Sequence, residues 1–144
     1  MLIGNIPAKI DDKGRLKIPN AFRAAIAEKY GRDVFVTSLT GESVRVYPMP
    51  AWLDLEQRLS KAPSAATGKF FERVSFFGQV TEFDDQGRLI IQPRLRASAL
   101  MHGEVDVIGR TTYLDVWNHD RLSSRIDGDP FTTDDLRELA RLGI

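Results

Sequence analysis

Residues 11–18 read DDKGRLKI, and residues 84–91, which lie 73 positions further along the chain, read DDQGRLII. Six of these eight positions are identical. The similarity continues past the glycine, because Arg23 falls opposite Arg96 at the same separation. A repeat of this length indicates two copies of one supersecondary unit. The sequence therefore predicts two pseudo-symmetric halves, each of which presents the same polar hairpin.

Each copy has the sequence pattern of a β-hairpin. Apolar residues alternate with polar or proline positions around a short turn, and Gly14 or Gly87 stands where such a turn needs a positive φ. Pro19 ends the second strand of the first copy and suits the first turn of a helix. In the second copy Pro93 stands one place later.

The remaining sequence predicts short strands and helices in the same order in both halves. Residues 61–68 are the most linker-like stretch, and a capped helix is expected to begin at Thr132 or Thr133 in an acidic tail. The fold class is therefore mainly β with short helices (α+β). Strands are predicted over 33–39, 43–47, 80–83, 89–91, 105–108 and 113–117. Helices are predicted from Asn20 or Ala21 to Tyr30, over 50–59, 69–77 and 93–101, and from near Asn118.

The charge of the chain is balanced overall but unevenly distributed. Its 144 residues carry 20 basic and 20 acidic side chains, so net charge alone does not indicate nucleic acid or membrane. Residues 9–23 hold five basic against two acidic residues, a net charge of +3, whereas residues 127–138 have a net charge of −4. The first hairpin therefore lies in a basic segment.

The chain lacks the residues that several classes of function require. The chain has no cysteine, so disulfides and thiolate chemistry are excluded. Asp115, His119 and Asp120 cross from a strand to a helix without a third convergent ligand, and no catalytic constellation stands out. We therefore expect no enzyme activity, metal or cofactor. The absence of a signal peptide and of an apolar run of about 18 residues favours a cytoplasmic protein without a membrane span.

The two hairpins carry residues suited to DNA. Arg15 and Arg88 each follow a turn glycine, where a planar fork of five donors can reach phosphates or the O6 and N7 atoms of guanine. A two-stranded ribbon of this kind fits a major groove. Gln86 replaces Lys13, which makes the second copy less basic, and could read an adenine edge or bridge a phosphate. The candidate DNA-contacting residues are Lys9, Lys13, Arg15, Lys17, Gln86 and Arg88, with Arg23 on the adjoining helix.

The acidic residues of the turns have two possible roles. Asp11 could simply pair with Arg15 in a well-built, solvated hairpin, where an exposed ion pair contributes about 0–1 kcal/mol. Alternatively, Asp11 and Asp84 hold the turns, together with Gly14 and Gly87, and orient arginines that contact DNA.

Residues 11–23, DDKGRLKIPNAFR, and residues 84–96, DDQGRLIIQPRLR, closely resemble the MraZ family. The match includes a doubled Asp-x-x-x-Arg signature, the segment YPMPAW at residues 47–52, the order of the elements and the total length. It covers about residues 1–126.

This resemblance implies that each half is an AbrB-type swapped-hairpin module and that the two halves form a double swapped-hairpin β-barrel. The implied first and second SpoVT-AbrB-type domains cover residues 5–52 and 81–124. Connecting helices occupy residues 53–80, and an acidic tail occupies residues 125–144.

The resemblance also implies a function. A member of this family would be a sequence-specific DNA-binding transcriptional regulator of the division and cell-wall gene cluster. Its partners would be double-stranded promoter DNA and further copies of itself, in a ring-shaped homo-oligomer of eight or twelve subunits associated with the nucleoid. Phe35, Tyr47 and Trp52 are the side chains that we expect to seal the subunit contacts.

Three other functions compete with this one. A ring-forming scaffold could bind a protein partner through the same hairpins. An antitoxin-like DNA-binding dimer is disfavoured, because both hairpins are fused in one chain without a toxin-wrapping tail. A small hydrolase is disfavoured for want of a catalytic centre.

Overall fold

The computed structural model describes all residues from Met1 to Ile144 and contains eight β-strands and six α-helices. It therefore has the α+β fold class that the sequence predicts, built around an antiparallel sheet with short helices. The strands are β1 (Leu2–Ile10), β2 (Arg15–Lys17), β3 (Asp33–Thr37), β4 (Val44–Pro48), β5 (Gln79–Glu82), β6 (Arg88–Ile90), β7 (Gly103–Thr111) and β8 (Leu114–Asn118). The helices are α1 (Asn20–Tyr30), α2 (Met49–Ser60), α3 (Ala65–Phe77), α4 (Pro93–Ser98), α5 (His119–Gly128) and α6 (Thr133–Ala140).

All eight strands form one antiparallel sheet in the order β5-β3-β4-β8-β7-β1-β2-β6. The two edge strands, β5 and β6, are consecutive in the chain. The second hairpin turn joins them, and there the backbone N–H of Asp84 donates to the carbonyl of Arg88 over 3.0 Å. Because its edges meet in this way, the sheet closes into a nearly complete barrel.

Pairs of strands from the two halves alternate around this barrel. Each strand of the first half pairs with one of the second, in the pairs β1–β7, β2–β6, β3–β5 and β4–β8. Twenty buried apolar side chains, drawn from both halves, fill one core. Leu16 and Leu89 are partners across β2 and β6, and both are fully buried. The swapped-hairpin barrel with two pseudo-symmetric halves is thus confirmed.

A second, smaller core lies where the helices of the connection cover the barrel. Tyr47 and Trp52 are only 2% and 7% exposed, and the ring centroids of Phe35 and Trp52 are 4.6 Å apart. The Trp52 ring also stacks on Phe70 at 6.1 Å. The prediction that these aromatics seal subunit contacts is wrong for Tyr47 and Trp52, because their surface is already buried within the single chain.

The predicted linker over residues 61–68 is partly helical, because α3 begins at Ala65. The hydroxyl of Ser64 accepts from the backbone N–H of Thr67 over 3.2 Å, and the Thr67 hydroxyl accepts from the N–H of Ser64 over 2.7 Å. This reciprocal capping box compensates the unpaired N–H groups of the first turn. Its signature is Ser-x-x-Thr, which the sequence analysis overlooked.

Two other elements differ in length from the prediction by three residues or more. Helix α4 ends at Ser98 because Leu100 adopts a positive φ of 55°, which an α-helix does not accept. Strand β7 extends from Gly103 to Thr111 because β1 pairs with it along its whole length.

At the C-terminus, α5 begins after Asn118 as predicted, and α6 begins after Thr132, whose hydroxyl accepts from the N–H of Asp135 over 3.1 Å. Helix α6 contains no buried residue. None of the six helices is both long and apolar enough to span a membrane.

Candidate nucleic-acid interface

The first hairpin tip, residues 11–15, is organised by the carboxylate of Asp11. One of its oxygens, Oδ1, accepts from the backbone N–H groups of Lys13 and Arg15 over 3.0 and 2.9 Å. The other, Oδ2, accepts from Nε of Arg15 over 2.7 Å. Gly14 completes the turn with a φ of +79°. A single side chain therefore holds both the turn and the base of the arginine fork.

The second hairpin tip, residues 84–88, repeats this geometry. Oδ1 of Asp84 accepts from the N–H groups of Gln86 and Arg88 over 2.9 and 2.8 Å, and Oδ2 accepts from Nε of Arg88 over 2.8 Å. Gly87 has a φ of +76°. Because both arginines are bound through Nε, their Nη groups stay available to a ligand.

These hydrogen bonds also keep both carboxylates ionised. The backbone N–H of Arg15 makes the largest contribution to a pKa of Asp11 below the ordinary value of 3.8, and the Arg15 side chain adds to it. Asp84 shows the same lowering of its pKa, led by the N–H of Arg88. The arginine forks are therefore held by charged acceptors throughout the neutral range.

Antiparallel pairing of β2 with β6 places the two tips at opposite ends of one short two-stranded ribbon. Arg15 is opposite Ile90, and Lys17 is opposite Arg88. Side chains alternate along a strand, and the intervening Leu16 and Leu89 point into the core. The other four side chains therefore point outward. From strand geometry, the Cα atoms of Arg15 and Arg88 lie about 8 Å apart on the diagonal, roughly two base-pair steps of DNA.

A row of cations crosses three strands beside these tips. Ile10 and Leu16 are partners in β1 and β2, so one further step along each strand sets Lys9 opposite Lys17. Lys17 is in turn opposite Arg88. Neither lysine forms an ion pair within the chain. Glu104 of β7 lies opposite Lys9 on the other side, and Asp84 binds Arg88, whereas Lys17 lies between two cations. Like charges in directly opposed positions destabilise a sheet, so an anion would stabilise this row, Lys9–Lys17–Arg88.

Two arginines on helices each reach the hairpin tip of the opposite half. Arg96 of α4 lies over Gly14, where a Cβ would stand 2.7 Å from its guanidinium, and it donates to the Asp12 carbonyl over 3.3 Å. Arg23 of α1 lies over Gly87 in the same way. Arg23 therefore belongs to the second tip rather than to the hairpin that adjoins it in sequence. A side chain at either glycine would displace the arginine that lies over it, and the positive φ of both turns already favours glycine.

The second tip is as basic as the first, although Gln86 replaces Lys13 there. Arg32 donates to the Phe83 carbonyl over 3.1 Å and lies 3.8 Å from Asp85. Together with Arg23 and Arg88 it brings three cations to the second tip. The first tip also has three cations, and each tip has two carboxylates. The first tip contains Lys13, Arg15, Arg96, Asp11 and Asp12. The second tip contains Arg23, Arg32, Arg88, Asp84 and Asp85.

The structure thus brings the predicted residues onto one outer face. Lys13 and Gln86 are exposed at corresponding positions of the two tips. Arg32 and Arg96 were not among the predicted site residues, although the repeat, which aligns Arg96 with Arg23, was a signal for Arg96.

Two fused swapped-hairpin modules, each with an arginine oriented at its tip, define a pseudo-dimeric barrel protein. A family model described as "MraZ protein, putative antitoxin-like" matches residues 1–70 and 78–142. The chain belongs to the MraZ family.

Relatives in several bacteria are similar over much or all of their length. A protein of Acidobacterium capsulatum named Transcriptional regulator MraZ is 40% identical over 146 residues, and one of the same name from Koribacter versatilis is 42% identical over 147 residues; each alignment covers all of both chains. The Moorella thermoacetica protein of that name is 37% identical, covering 84% of this chain and 83% of its own.

Proposed function

We propose that this protein is a transcriptional regulator that binds double-stranded promoter DNA sequence-specifically through its two hairpin tips. The proposed target is the division and cell-wall gene cluster, and the proposed location is the nucleoid of the cytoplasm. The names of the relatives support regulation of transcription. The target cluster and the location rest on the family resemblance alone.

The observation that carries DNA binding is the row Lys9–Lys17–Arg88 next to the oriented fork of Arg15. Lys9 and Lys17 form no ion pair within the chain, whereas Arg88 is held by Asp84 through Nε. The two lysines and the free Nη groups of Arg88 therefore favour a polyanion. Arginines held through Nε by Asp11 and Asp84 keep their Nη groups free for two acceptors of one base edge or phosphate. The lysine row would supply affinity, and the two arginines would supply position and specificity.

Ring assembly would supply the affinity that one neutral chain lacks. A chain with zero net charge and one short basic face gains little from counterion release at physiological salt. A homo-oligomer, which we propose to be a ring of eight or twelve subunits, would present many tips to repeated promoter elements. Exposed apolar side chains are better candidates for its contacts than the buried Trp52: Leu53, Phe76, Ile126 and Phe131.

The test is an electrophoretic mobility shift on the DNA upstream of the protein's own gene. Arg15→Ala and Arg88→Ala should each weaken specific binding by about 1–3 kcal/mol, or roughly 5- to 150-fold. Arg58→Ala is the matched control, because Nε of Arg58 also pairs with an aspartate four residues earlier, Asp54, at 3.1 Å, but on α2. Unchanged binding by the double variant of Arg15 and Arg88 would rule out the tips as the DNA site.

A second outcome would support the alternative function. If the wild-type protein forms a ring but binds no DNA of any sequence, the tips would be contacts for a protein partner, and the chain would be a scaffold. Each tip carries carboxylates as well as cations, with Asp85 fully exposed, so such a partner would need both signs of charge.

A further inference from the structure

One large apolar side chain stands on the outer face between the two tips. Ile90 is 54% exposed, whereas its neighbours Leu89 and Ile91 are fully buried. It lies directly opposite Arg15 in the pairing of β2 with β6. Its side chain therefore shares the outer face with the Arg15 fork.

Ile90 breaks the pseudo-symmetry of this face. The repeat aligns it with Lys17, so a symmetric surface would carry a lysine here. The repeat likewise aligns Lys9 with Glu82 and Arg15 with Arg88. The row Lys9–Lys17–Arg88 thus corresponds to a row of Glu82, Ile90 and Arg15, which has one cation and one anion.

We propose that Ile90 contacts the C5 methyl group of a thymine. This inference rests on the proposed DNA-binding function. An isoleucine has no donor or acceptor, and the apolar group that a major groove offers is the thymine methyl. Cross-strand partners lie about 5 Å apart, so this thymine falls within one or two base-pair steps of the base that Arg15 reaches. Ile90 would make the two ends of the ribbon read different bases.

The test combines protein variants with a DNA probe that lacks single methyl groups. The probe is the duplex upstream of the protein's own gene, trimmed to the footprint of the wild-type protein. Each thymine is replaced in turn by deoxyuridine, which differs only in the missing methyl group. The proteins compared are wild type, Ile90→Ala, Ile90→Val and, as a matched control, Ile3→Ala, since Ile3 is 62% exposed on β1 seven residues before Ile10.

We expect one replacement to weaken wild-type binding by about fourfold, the effect of leaving one methyl-sized group unburied. The same replacement should not change DNA binding by Ile90→Ala, should weaken binding by Ile90→Val less than binding by wild type, and should weaken binding by Ile3→Ala as much as binding by wild type. Sedimentation of Ile90→Ala should match wild type.

The possible failures are distinct. Tight binding by Ile90→Ala with the full sensitivity to every replacement would overturn the thymine contact but leave DNA binding intact. A change in oligomeric state in Ile90→Ala would make Ile90 a subunit contact and also overturn it. If the wild-type protein binds no DNA, the proposed function fails, and the thymine contact fails with it.

Discussion

At the scale of single residues, the aspartates of the tips are more informative than the arginines. Asp11 accepts three hydrogen bonds, two from the backbone and one from Arg15, whereas the adjacent Asp12 makes none with its side chain. Both carboxylates are exposed. They therefore contribute the same charge to the tip, but only Asp11 can orient the fork of Arg15.

Asp11→Asn and Asp12→Asn separate orientation from charge. Each removes one negative charge near the DNA, so simple electrostatics predicts tighter binding for both. We expect Asp12→Asn to bind more tightly to all DNA. Asp11→Asn should lose roughly three- to tenfold in specific affinity, because Arg15 is no longer oriented and loses part of its contribution to binding. Fluorescence anisotropy with specific and random duplexes measures this. Equal gains by both variants would show that Asp11 acts only through its charge.

At the scale of elements, one polar contact joins the start of α5 to the barrel. Nδ1 of His119 lies 2.9 Å from Oδ2 of Asp106 on β7, and Asn5 of β1 donates to Oδ1 of Asp106 over 3.2 Å. Asp106 is buried, with 5% exposure. The hydrogen bond with Asp106, with its negative charge, raises the pKa of His119 above the ordinary 6.5.

This contact should make stability depend on pH. Because the pKa of His119 is raised in the folded state, its contribution is fully present below about pH 6.5 and is lost as pH rises through the folded value. The melting temperature of His119→Gln should lie below that of wild type by at most about 3 °C in mild acid and approach it by about pH 9. His102→Gln, which changes the other histidine, is the control. A difference that is constant with pH would mean that protonation of His119 does not stabilise the fold.

At the scale of the whole molecule, neither half has a complete set of strand partners. Every strand of the first half pairs with one of the second, and the 20-residue core draws on both. A half of about 70 residues therefore cannot bury its apolar surface alone. The domain bounds 5–52 and 81–124 remain a prediction, since strands from both intervals share one barrel.

Cutting the chain tests this shared core. We expect residues 1–62 alone to be unfolded or self-associated, since a second copy of the fragment could occupy the place of the missing half. Circular dichroism with denaturant and sedimentation over a range of concentrations would distinguish these states. A cooperatively folding monomer would contradict the shared core.

Assembly should make DNA affinity depend on the number of repeated elements. Once one subunit of a ring is bound, each further contact is intramolecular, and affinity can rise by about 10²–10⁴. We therefore expect steeply tighter binding to probes with two and four elements than with one. Sedimentation of the free protein gives the subunit number. A monomer that binds one element as tightly as four would refute the ring mechanism.

The features that could be predicted from the sequence are those that depend on the chemistry of a few neighbouring residues. Glycine at the turn, alternation along the strands and Pro19 before α1 predict the hairpins and most of the elements, because turn and strand preferences act over a few residues. The repeat predicted the pseudo-symmetry, and the turn spacing put Asp11 beside Arg15. The swapping of the halves followed from the family resemblance, since identical local patterns do not say which copy a strand pairs with.

Only the tertiary structure decided which residues meet across the halves. Arg23 and Arg96 reach the opposite tip, Lys17 lies opposite Arg88, and Trp52 is buried within the chain itself. These contacts depend on strand register and on the path of the helices, and neither leaves a signal in the neighbouring sequence. A register shift of one residue would turn every side chain to the other face. The outer row of cations therefore exists only because the buried leucines of β2 and β6 lock the pairing.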